Sequence, residues 1–132
     1  NNQEANCEKY GRLYSIEAAK EACPDEWRLP TDQEWDNLIN AIGVNPAFKM
    51  MKKGAWDIAP ATNSFCFSAM PGGYKSLETG IFNTAYFYSY WWTSSKNSNS
   101  QFLSKNISYD NNSVLTIGYD DDIAFSVRCI KD

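Results

Sequence analysis

The stretch "WRLPTDQEW", residues 27–35, contains the clearest local structural signal in the chain. Pro30 pushes the residue before it out of the helical region, so the segment from Trp27 to Leu29 is predicted to be extended. Thr31 and Glu34 have the spacing of a capping box, in which each side chain accepts a hydrogen bond from the other residue's backbone amide. The stretch therefore predicts an extended segment that leads directly into a helix capped by Thr31.

Apolar residues continue this helix at its own period. Trp35, Leu38, Ile39 and Ile42 recur every three to four positions, so they are expected to form one buried stripe. Gly43 follows the last of them and is expected to end the helix, because glycine readily adopts the backbone conformation that a helix terminus needs.

The acidic residues of the same stretch could also be interpreted as a catalytic cluster. Asp32 places negative charge in the first turn, where the helix dipole favours it, and Asp36 is expected on the solvated face. The chain contains no histidine, which excludes Ser-His-Asp and Cys-His nucleophile systems. We interpret these carboxylates as the start of a helix, and we expect no enzymatic activity.

Further helix signals lie on both sides of this segment. Ser15 can cap a short helix over residues 16–22, which Cys23 and Pro24 would stop. A third helix is expected to begin at Asn45 and to run to residues 53–54. After Gly54, short runs rich in aromatic and β-branched residues alternate with turn residues, and these runs predict strands at 65–70, 90–94, 102–109, 114–119 and 123–130.

Two of these runs allow side chains to be assigned to the core. Trp91 and Trp92 are expected to be buried. In the last run, Phe125, Val127 and Cys129 alternate with polar residues, so one face of that strand is expected to be buried. Helices that precede antiparallel strands in this way predict an α+β fold.

Length and composition limit the possible partners. The 132 residues fit a single domain spanning 1–132, and 43% hydrophobic residues can form a core. A net charge of -4 argues against nucleic-acid and anionic-membrane partners. No apolar run approaches the roughly 18 residues of a membrane span. We expect a mature domain trimmed from a longer chain.

The four cysteines, Cys7, Cys23, Cys66 and Cys129, are widely spaced. They include no C-x-x-C pair, which argues against zinc ribbons and zinc fingers. An even number of dispersed cysteines is typical of disulfides in an exported, extracellular or cell-surface protein. Buried free thiols are the alternative.

Residues 86–122 are crowded with Tyr, Asn, Ser and Asp, a composition found in antibody-type binding surfaces. Core tyrosines and ordinary turns would explain the same composition. In the run 101–110, alternation predicts Leu103, Ile107 and Tyr109 inward and Ser104, Asn106 and Ser108 outward. The candidate ligand contacts are Tyr86, Tyr88, Tyr90, Asn97, Asn99, Gln101, Ser104, Asn106, Tyr109, Asn111, Asn112 and Tyr119.

A metal site is the other chemical possibility. Asp120, Asp121 and Asp122 lie in a loop before the last run, and carboxylate oxygens suit calcium. Adjacent aspartates in loops are more often turn residues, so no cofactor is expected and calcium is kept as an alternative.

Four ordered motifs carry a family resemblance. The segments "NCEKYGRLYSIEAAKEACPDEWRLPTDQEW", "FSAMPGGY", "YWWTSS" and "FSVRCIKD" closely resemble the Fibrobacter succinogenes major paralogous domain family. The stretch "RLPTDQEW" is also similar to formylglycine-generating-enzyme-like domains. Both resemblances imply a C-type-lectin-like fold, in which two main helices pack on a twisted, mostly antiparallel sheet and the termini lie close together.

The resemblance also has implications for the cysteines. In the fold, a first-helix cysteine bridges to the last strand, which corresponds here to Cys23–Cys129. Cys66 stands where the family usually has glycine. Cys7 would pair with Cys66 or with a cysteine preceding this chain.

Members of the family occur mainly in exported and surface-attached bacterial proteins, including lipoproteins. The resemblance implies an exported surface protein, and the composition of residues 86–122 favours a binding surface. Together they lead us to expect a non-catalytic recognition or adhesion module that binds a glycan or protein ligand as part of a larger surface protein. One alternative is a structural spacer of a surface or fimbrial protein. Another is a variable protein diversified by a retroelement, which the Asn/Ser/Tyr/Asp skew after residue 88 resembles.

Overall fold

A computed structural model describes residues 3–132, and all four of its helices lie in the first 50 residues. The helices are α1 (Gln3–Tyr10), α2 (Ile16–Lys20), α3 (Asp32–Ile42) and α4 (Pro46–Met50). Strands supply most of the remaining regular structure, so the α+β prediction is confirmed. In the described part of the chain, no helix combines the length and the apolar character that crossing a membrane requires.

The nine strands form three antiparallel sheets. They are β1 (Tyr14–Ser15), β2 (Trp27–Arg28), β3 (Tyr74–Ser76), β4 (Phe82–Asn83), β5 (Tyr88–Lys96), β6 (Phe102–Ser108), β7 (Leu115–Tyr119), β8 (Ile123–Phe125) and β9 (Ile130–Lys131). The sheet orders are β1-β8-β3-β4, β2-β9 and β5-β6-β7. Because β1 pairs with β8 and β2 with β9, two strands from the first 28 residues lie against strands from the last ten.

Helix α3 begins as the capping box predicts. The Thr31 hydroxyl accepts from the Glu34 amide at 3.2 Å, and the Glu34 carboxylate accepts from the Thr31 amide at 2.8 Å. Trp35 and Ile42 are 2% and 3% exposed, but Leu38 is 37% exposed. The buried stripe is therefore narrower than predicted, because only one edge of the helix faces the core.

Two helices differ from the prediction at their ends. Helix α2 ends at Lys20 rather than at residue 22, and α4 ends at Met50 rather than at 53–54. After Met50 the chain turns extended, and Met51 forms a bridge with Ala69. Packing of Met50 and Met51 into the core therefore ends α4 earlier than local propensity indicates.

Helix α1 was not predicted. Its residues 4–9 are exposed, so it has no apolar stripe that a periodicity argument could detect. It is anchored through Tyr10, whose ring meets the Tyr86 ring edge-on at a centroid distance of 6.0 Å. Gly11, with φ of 81°, ends the helix.

Two predicted strands are not formed as expected. Residues 65–70 form an irregular loop in which Cys66 and Ser68 have φ of 54° and 58°. The Asn63 carboxamide holds this loop by accepting from the Ser68 amide at 2.8 Å. The run 123–130 forms two separate strands instead of one. Its first part, β8, pairs with β1 and β3, and after Phe125 the backbone leaves that sheet and pairs with β2 as β9.

Strand β5 is covered on both faces and joins two hydrophobic clusters. Trp91 packs in one cluster with Trp35 and Ile107, whereas Trp92 packs in the other with Phe125. Successive side chains of a strand point to opposite faces, so two neighbouring tryptophans fill two different cores. The predicted burial of Trp91 and Trp92 is confirmed at 3% and 0% exposure.

The "PGGY" motif brings β3 and β4 against β5. Gly73 has φ of 65°, and a Cβ there would lie 2.1 Å from the Asn83 carbonyl oxygen. Its amide donates to the Tyr88 carbonyl at 2.9 Å. This close backbone approach requires glycine at position 73.

One disulfide connects the two halves of the chain. Cys23 and Cys129 are bonded across a sequence separation of 106, so the pairing that the resemblance implies is confirmed. Cys7 and Cys66 are free and exposed, so the alternative pairing of these two is not formed.

Candidate recognition surface

The predicted ligand contacts do not lie in one place, and three of the tyrosines among them pack in or against one hydrophobic cluster. Tyr90 is 8% exposed, and its ring stacks on Phe125 at a centroid distance of 4.9 Å and an interplanar angle of 10°. Tyr88 stacks on Tyr90, and Tyr119 meets Phe125 edge-on. Burial raises the pKa of Tyr90 to about 12. These rings therefore stabilise the second hydrophobic cluster, and Tyr90 is not accessible to a ligand.

The outward orientation predicted for Ser104 and Asn106 is wrong. They are 0% and 5% exposed. The Ser104 hydroxyl donates to the Asn106 carboxamide at 2.6 Å, and the Asn106 amide nitrogen lies 3.4 Å from the Tyr119 hydroxyl. Strand β6 is the central strand of its sheet and is covered on both faces. Its side chains still alternate between the two faces, but both faces are buried. Ile107, predicted inward, is fully buried.

Three of the predicted ligand contacts do meet at the turn between β5 and β6, and one of them bonds to Asp120, a residue predicted for calcium. The Asn97 carboxamide oxygen accepts from the backbone amides of Asn99 and Gln101, both at 3.0 Å. The Gln101 side chain donates to Asp120, which precedes β8, at 3.3 Å. We call Asn97, Asn99, Gln101 and Asp120 the hairpin cluster. Asn99 and Asp120 are exposed.

Gly118 in β7 provides the space beneath the hairpin cluster. A Cβ at this position would lie 2.5 Å from the Asn97 amide nitrogen and 3.0 Å from the Gln101 side-chain oxygen. The two side chains also bond to each other at 3.0 Å. The amides are therefore held in fixed positions over β7 before any ligand arrives.

The remaining candidates belong to other turns. Asn112 is exposed, and its side chain donates to Asn45 at 2.8 Å. Tyr109 is half-buried against Phe87, with ring centroids 5.3 Å apart. Tyr86 is 49% exposed and contacts α1 through Tyr10. Asn111 is half-buried and its carboxamide accepts from the amide of residue 113.

The aspartates proposed for calcium do not converge on a common point. Asp120, Asp121 and Asp122 are exposed residues of the turn before β8. Residues 3–132 contain no group of three or more His, Cys, Asp or Glu side chains arranged to hold a metal ion. Calcium binding therefore stays a prediction, and no preformed cluster of metal-ligating side chains in residues 3–132 supports it.

The chain also contains a buried lysine that was not predicted. The Lys105 side chain is 1% exposed, and its ammonium lies 2.7 Å from Asp32, 2.6 Å from Asp36 and 2.7 Å from the Thr116 hydroxyl. Asp36 was expected on a solvated face, but it connects α3 to β6. The signal was present: Asp32 and Asp36 are four residues apart, so they lie on one side of the helix.

Glu34 is ion-paired rather than free for catalysis. Arg28 donates to both Glu34 carboxylate oxygens, at 2.8 and 2.7 Å, and to Asp132 at 2.7 Å. Arg28 and the Thr31 amide lower the pKa of Glu34 to about 2. A carboxylate that stays ionised in this way is unsuited to donate a proton near neutral pH, and it connects α3 with β2 and the end of the chain.

Comparison with protein families finds one match that covers nearly the whole chain. The model of the Fibrobacter succinogenes major domain matches residues 1–131. No curated protein and no solved structure matches the chain. The family match includes the whole hairpin cluster and all four motifs except Asp132, the last residue of "FSVRCIKD".

Proposed function

The chain belongs to the Fibrobacter succinogenes major domain family, and from this we propose that it is a non-catalytic recognition module of an exported bacterial surface protein. We propose a glycan or protein ligand and assign its contacts to the hairpin cluster. The domain would serve as part of a larger surface protein, such as a lipoprotein.

The observation that carries this proposal is the hydrogen-bond network of the hairpin cluster, in which Asn99 and Asp120 are exposed. Its amides are fixed by four hydrogen bonds that involve Asn97 or Gln101. A surface that is ordered before binding loses less conformational freedom when a ligand arrives. Side-chain amides and carboxylates can both bond to sugar hydroxyls or to a peptide backbone.

We further propose that the fold is C-type-lectin-like and related to formylglycine-generating-enzyme-like domains. The support is the pairing of the early strands β1 and β2 with the late strands β8 and β9, and the disulfide from the end of α2 to the segment before β9. Export to an oxidising compartment is supported by the same disulfide, since such bonds persist mainly outside the cytosol.

A non-catalytic role is supported by the state of the reactive groups. Glu34 is held in an ion pair, and Cys129 is bonded to Cys23. The free thiols are Cys7 and Cys66, and the sequence supplies no histidine that could act as their base.

A structural spacer is the second candidate, and an exposed apolar patch favours it. Ile81 and Phe82 are 58% and 60% exposed, and Leu77 is 42% exposed. Such a patch at the edge strand β4 would suit contact with a neighbouring domain. The diversified variable protein has less support, because Tyr90, Ser104 and Asn106 lie in the core, where variation would disturb packing.

Array binding tests the proposal. We expect the purified chain to bind a component of a glycan or protein array. Replacing both Asn99 and Asp120 by alanine should weaken that binding about thirtyfold, because two hydrogen bonds of about 1 kcal/mol each are lost. Asn40→Ala, which removes an exposed asparagine of α3, is the matched control and should bind normally. Absence of binding on both arrays would favour the spacer.

A further inference from the structure

A cavity of about 340 Å³ lies beside the end of α1 and the segment that joins β8 to β9. This volume is at the lower end of the range of about 300–1,000 Å³ found for ligand pockets. The hairpin cluster does not line it. The side chains that matter for its chemistry are Lys9, Tyr10, Arg12, Tyr14, Trp91 and Arg128.

The cavity is positively charged although the chain carries a net charge of -4. Lys9, Arg12 and Arg128 line it, and none of its ten lining residues is acidic. Within residues 3–132, none of these three cations forms an ion pair with a carboxylate, whereas Arg28 and Lys105 each form two. Cations that form no carboxylate ion pair and line one cavity favour an anionic ligand.

Arg128 is held in place by groups other than carboxylates. Its guanidinium carbon lies 4.8 Å from the centroid of the Phe67 ring, and Nη2 donates to the Phe67 carbonyl at 3.2 Å. A guanidinium has five N–H donors, so others remain for a ligand. Its planar fork matches the two oxygens of a carboxylate.

Arg128 also lines a second cavity of about 230 Å³ with a different character. Leu38 and Phe67 contribute to its lining, together with Pro30, Trp35 and Ile130, and Glu34 is the one acidic residue among its lining residues. Glu34 is already paired with Arg28. One arginine thus lies between a cationic cavity and an apolar one.

We propose that the two cavities that share Arg128 bind the carboxyl end of a peptide whose last side chain is apolar. The terminal carboxylate binds Arg128, Arg12 and Lys9, and the terminal side chain packs against Leu38 and Phe67. An acidic sugar would satisfy the cations but would leave the apolar cavity unfilled.

Titration with short synthetic peptides tests the proposal. A hexapeptide that ends in leucine with a free carboxylate should bind the intact chain with a Kd of about 1 mM or tighter, followed by chemical shifts in a two-dimensional amide spectrum. Amidation of the peptide terminus should weaken binding about tenfold, because a charged hydrogen-bonded pair is lost. Replacing the terminal leucine by glycine should weaken it by a similar factor.

Two variants connect binding to the cavity. Arg12→Gln should weaken binding about tenfold, because the charged contact with the peptide carboxylate is lost. Its thermal stability should not change, because Arg12 has no hydrogen bond or ion pair within the described residues. Arg128→Gln should weaken it at least as much, and a melting curve reports whether the Phe67 loop is retained. Lys20→Gln, which removes an exposed cation outside both linings, is the control and should bind normally.

Three results would overturn the proposal: equal binding of the amidated peptide, unchanged affinity of a folded Arg12→Gln variant, or binding of galacturonate without binding of the peptide. The hairpin cluster is tested separately. The variant lacking the Asn99 and Asp120 side chains should still bind the peptide, so failure of one site would not be mistaken for failure of the other.

Discussion

Lys105 is a single residue whose burial connects two elements. Its ammonium is almost fully enclosed, yet Asp32 and Asp36 neutralise it and Thr116 accepts a further hydrogen bond. An enclosed charge is tolerated only when it is paired and hydrogen-bonded in this way. Because both aspartates belong to α3, this one side chain fixes the helix against β6.

Removing the charge of Lys105 should lower the free energy of unfolding. Lys105→Met keeps much of the side-chain volume but leaves Asp32 and Asp36 close together without a counter-ion. We expect the free energy of unfolding to fall by about 3 kcal/mol, at the lower end of the range for breaking a buried pair, because Asp36 is 47% exposed and keeps some hydration. Urea unfolding followed by tryptophan fluorescence measures the change.

The matched control is Lys131→Met. Lys131 is 58% exposed in its ion pair with Glu26, whose oxygen is 3.8 Å away. Exposed pairs contribute little, so the change should stay within about 0.5 kcal/mol. If the two variants lost equal stability, the structural role assigned to Lys105 would be wrong.

At the scale of elements, the start of α3 joins three segments of the chain. The capping box fixes the first turn, and Arg28 of β2 connects Glu34 of that turn to Asp132 at the end of the chain. The contacts among the α3 capping box, strand β2 and the end of the chain therefore depend on the ionised state of Glu34.

The stability of this junction should depend on pH. The pKa of Glu34 is about 2 in the folded chain, against an ordinary value of 4.5. A lowered folded pKa gives stability that is complete above about pH 4.5 and is lost as the pH falls towards 2. Glu34→Gln should therefore be less stable than the parent chain at pH 6, and the difference should shrink by pH 2.5 in thermal melts.

Glu17→Gln provides the comparison for this pH series. Glu17 also forms an ion pair, with Lys20 in the same helix, but its side chain is 75% exposed. Its removal should change stability little at either pH. If the stability difference between Glu34→Gln and the parent chain stayed constant from pH 6 to 2.5, the stabilising role assigned to the Glu34 charge would be wrong.

At the scale of the whole molecule, the Cys23–Cys129 disulfide and the pairing of early with late strands close the chain on itself. The bond joins the end of α2 to the segment before β9 across a sequence separation of 106. In the chain-entropy model, such a long loop gives up to about 4.7 kcal/mol by restricting the unfolded state.

Replacing Cys23 and Cys129 together by alanine should lower the free energy of unfolding by about 2–5 kcal/mol. Chemical denaturation without reductant measures this loss. The control replaces the free and exposed Cys7 and Cys66 by serine, and it should leave stability nearly unchanged. A large loss in the control would show that Cys7 and Cys66 form a bond that the structure does not contain.

The sequence predicted some features of the candidate site and missed others for identifiable reasons. The hairpin residues Asn97, Asn99 and Gln101 were predicted from composition and lie within one turn, so their proximity needs only local structure. Ser104 and Asn106 were wrongly predicted to face outward. Alternation of polar and apolar residues along a strand shows that its two faces differ in polarity, but it does not show whether both faces are buried. The cavity at Arg128 was missed because its lining comes from distant segments.

The sequence by itself determined the start of α3, the period of its apolar residues and the burial of both tryptophans in β5. The first two depend on neighbours within about four residues, whose relative positions are fixed by backbone geometry. The burial of the tryptophans was indicated by the large apolar area of their own side chains. Tertiary structure alone decided that Lys105 would meet Asp32 and Asp36, that Tyr90 would stack on Phe125 in the core, and that three cations would surround one cavity. Those outcomes depend on which surfaces cover each other, and long-range packing sets that arrangement.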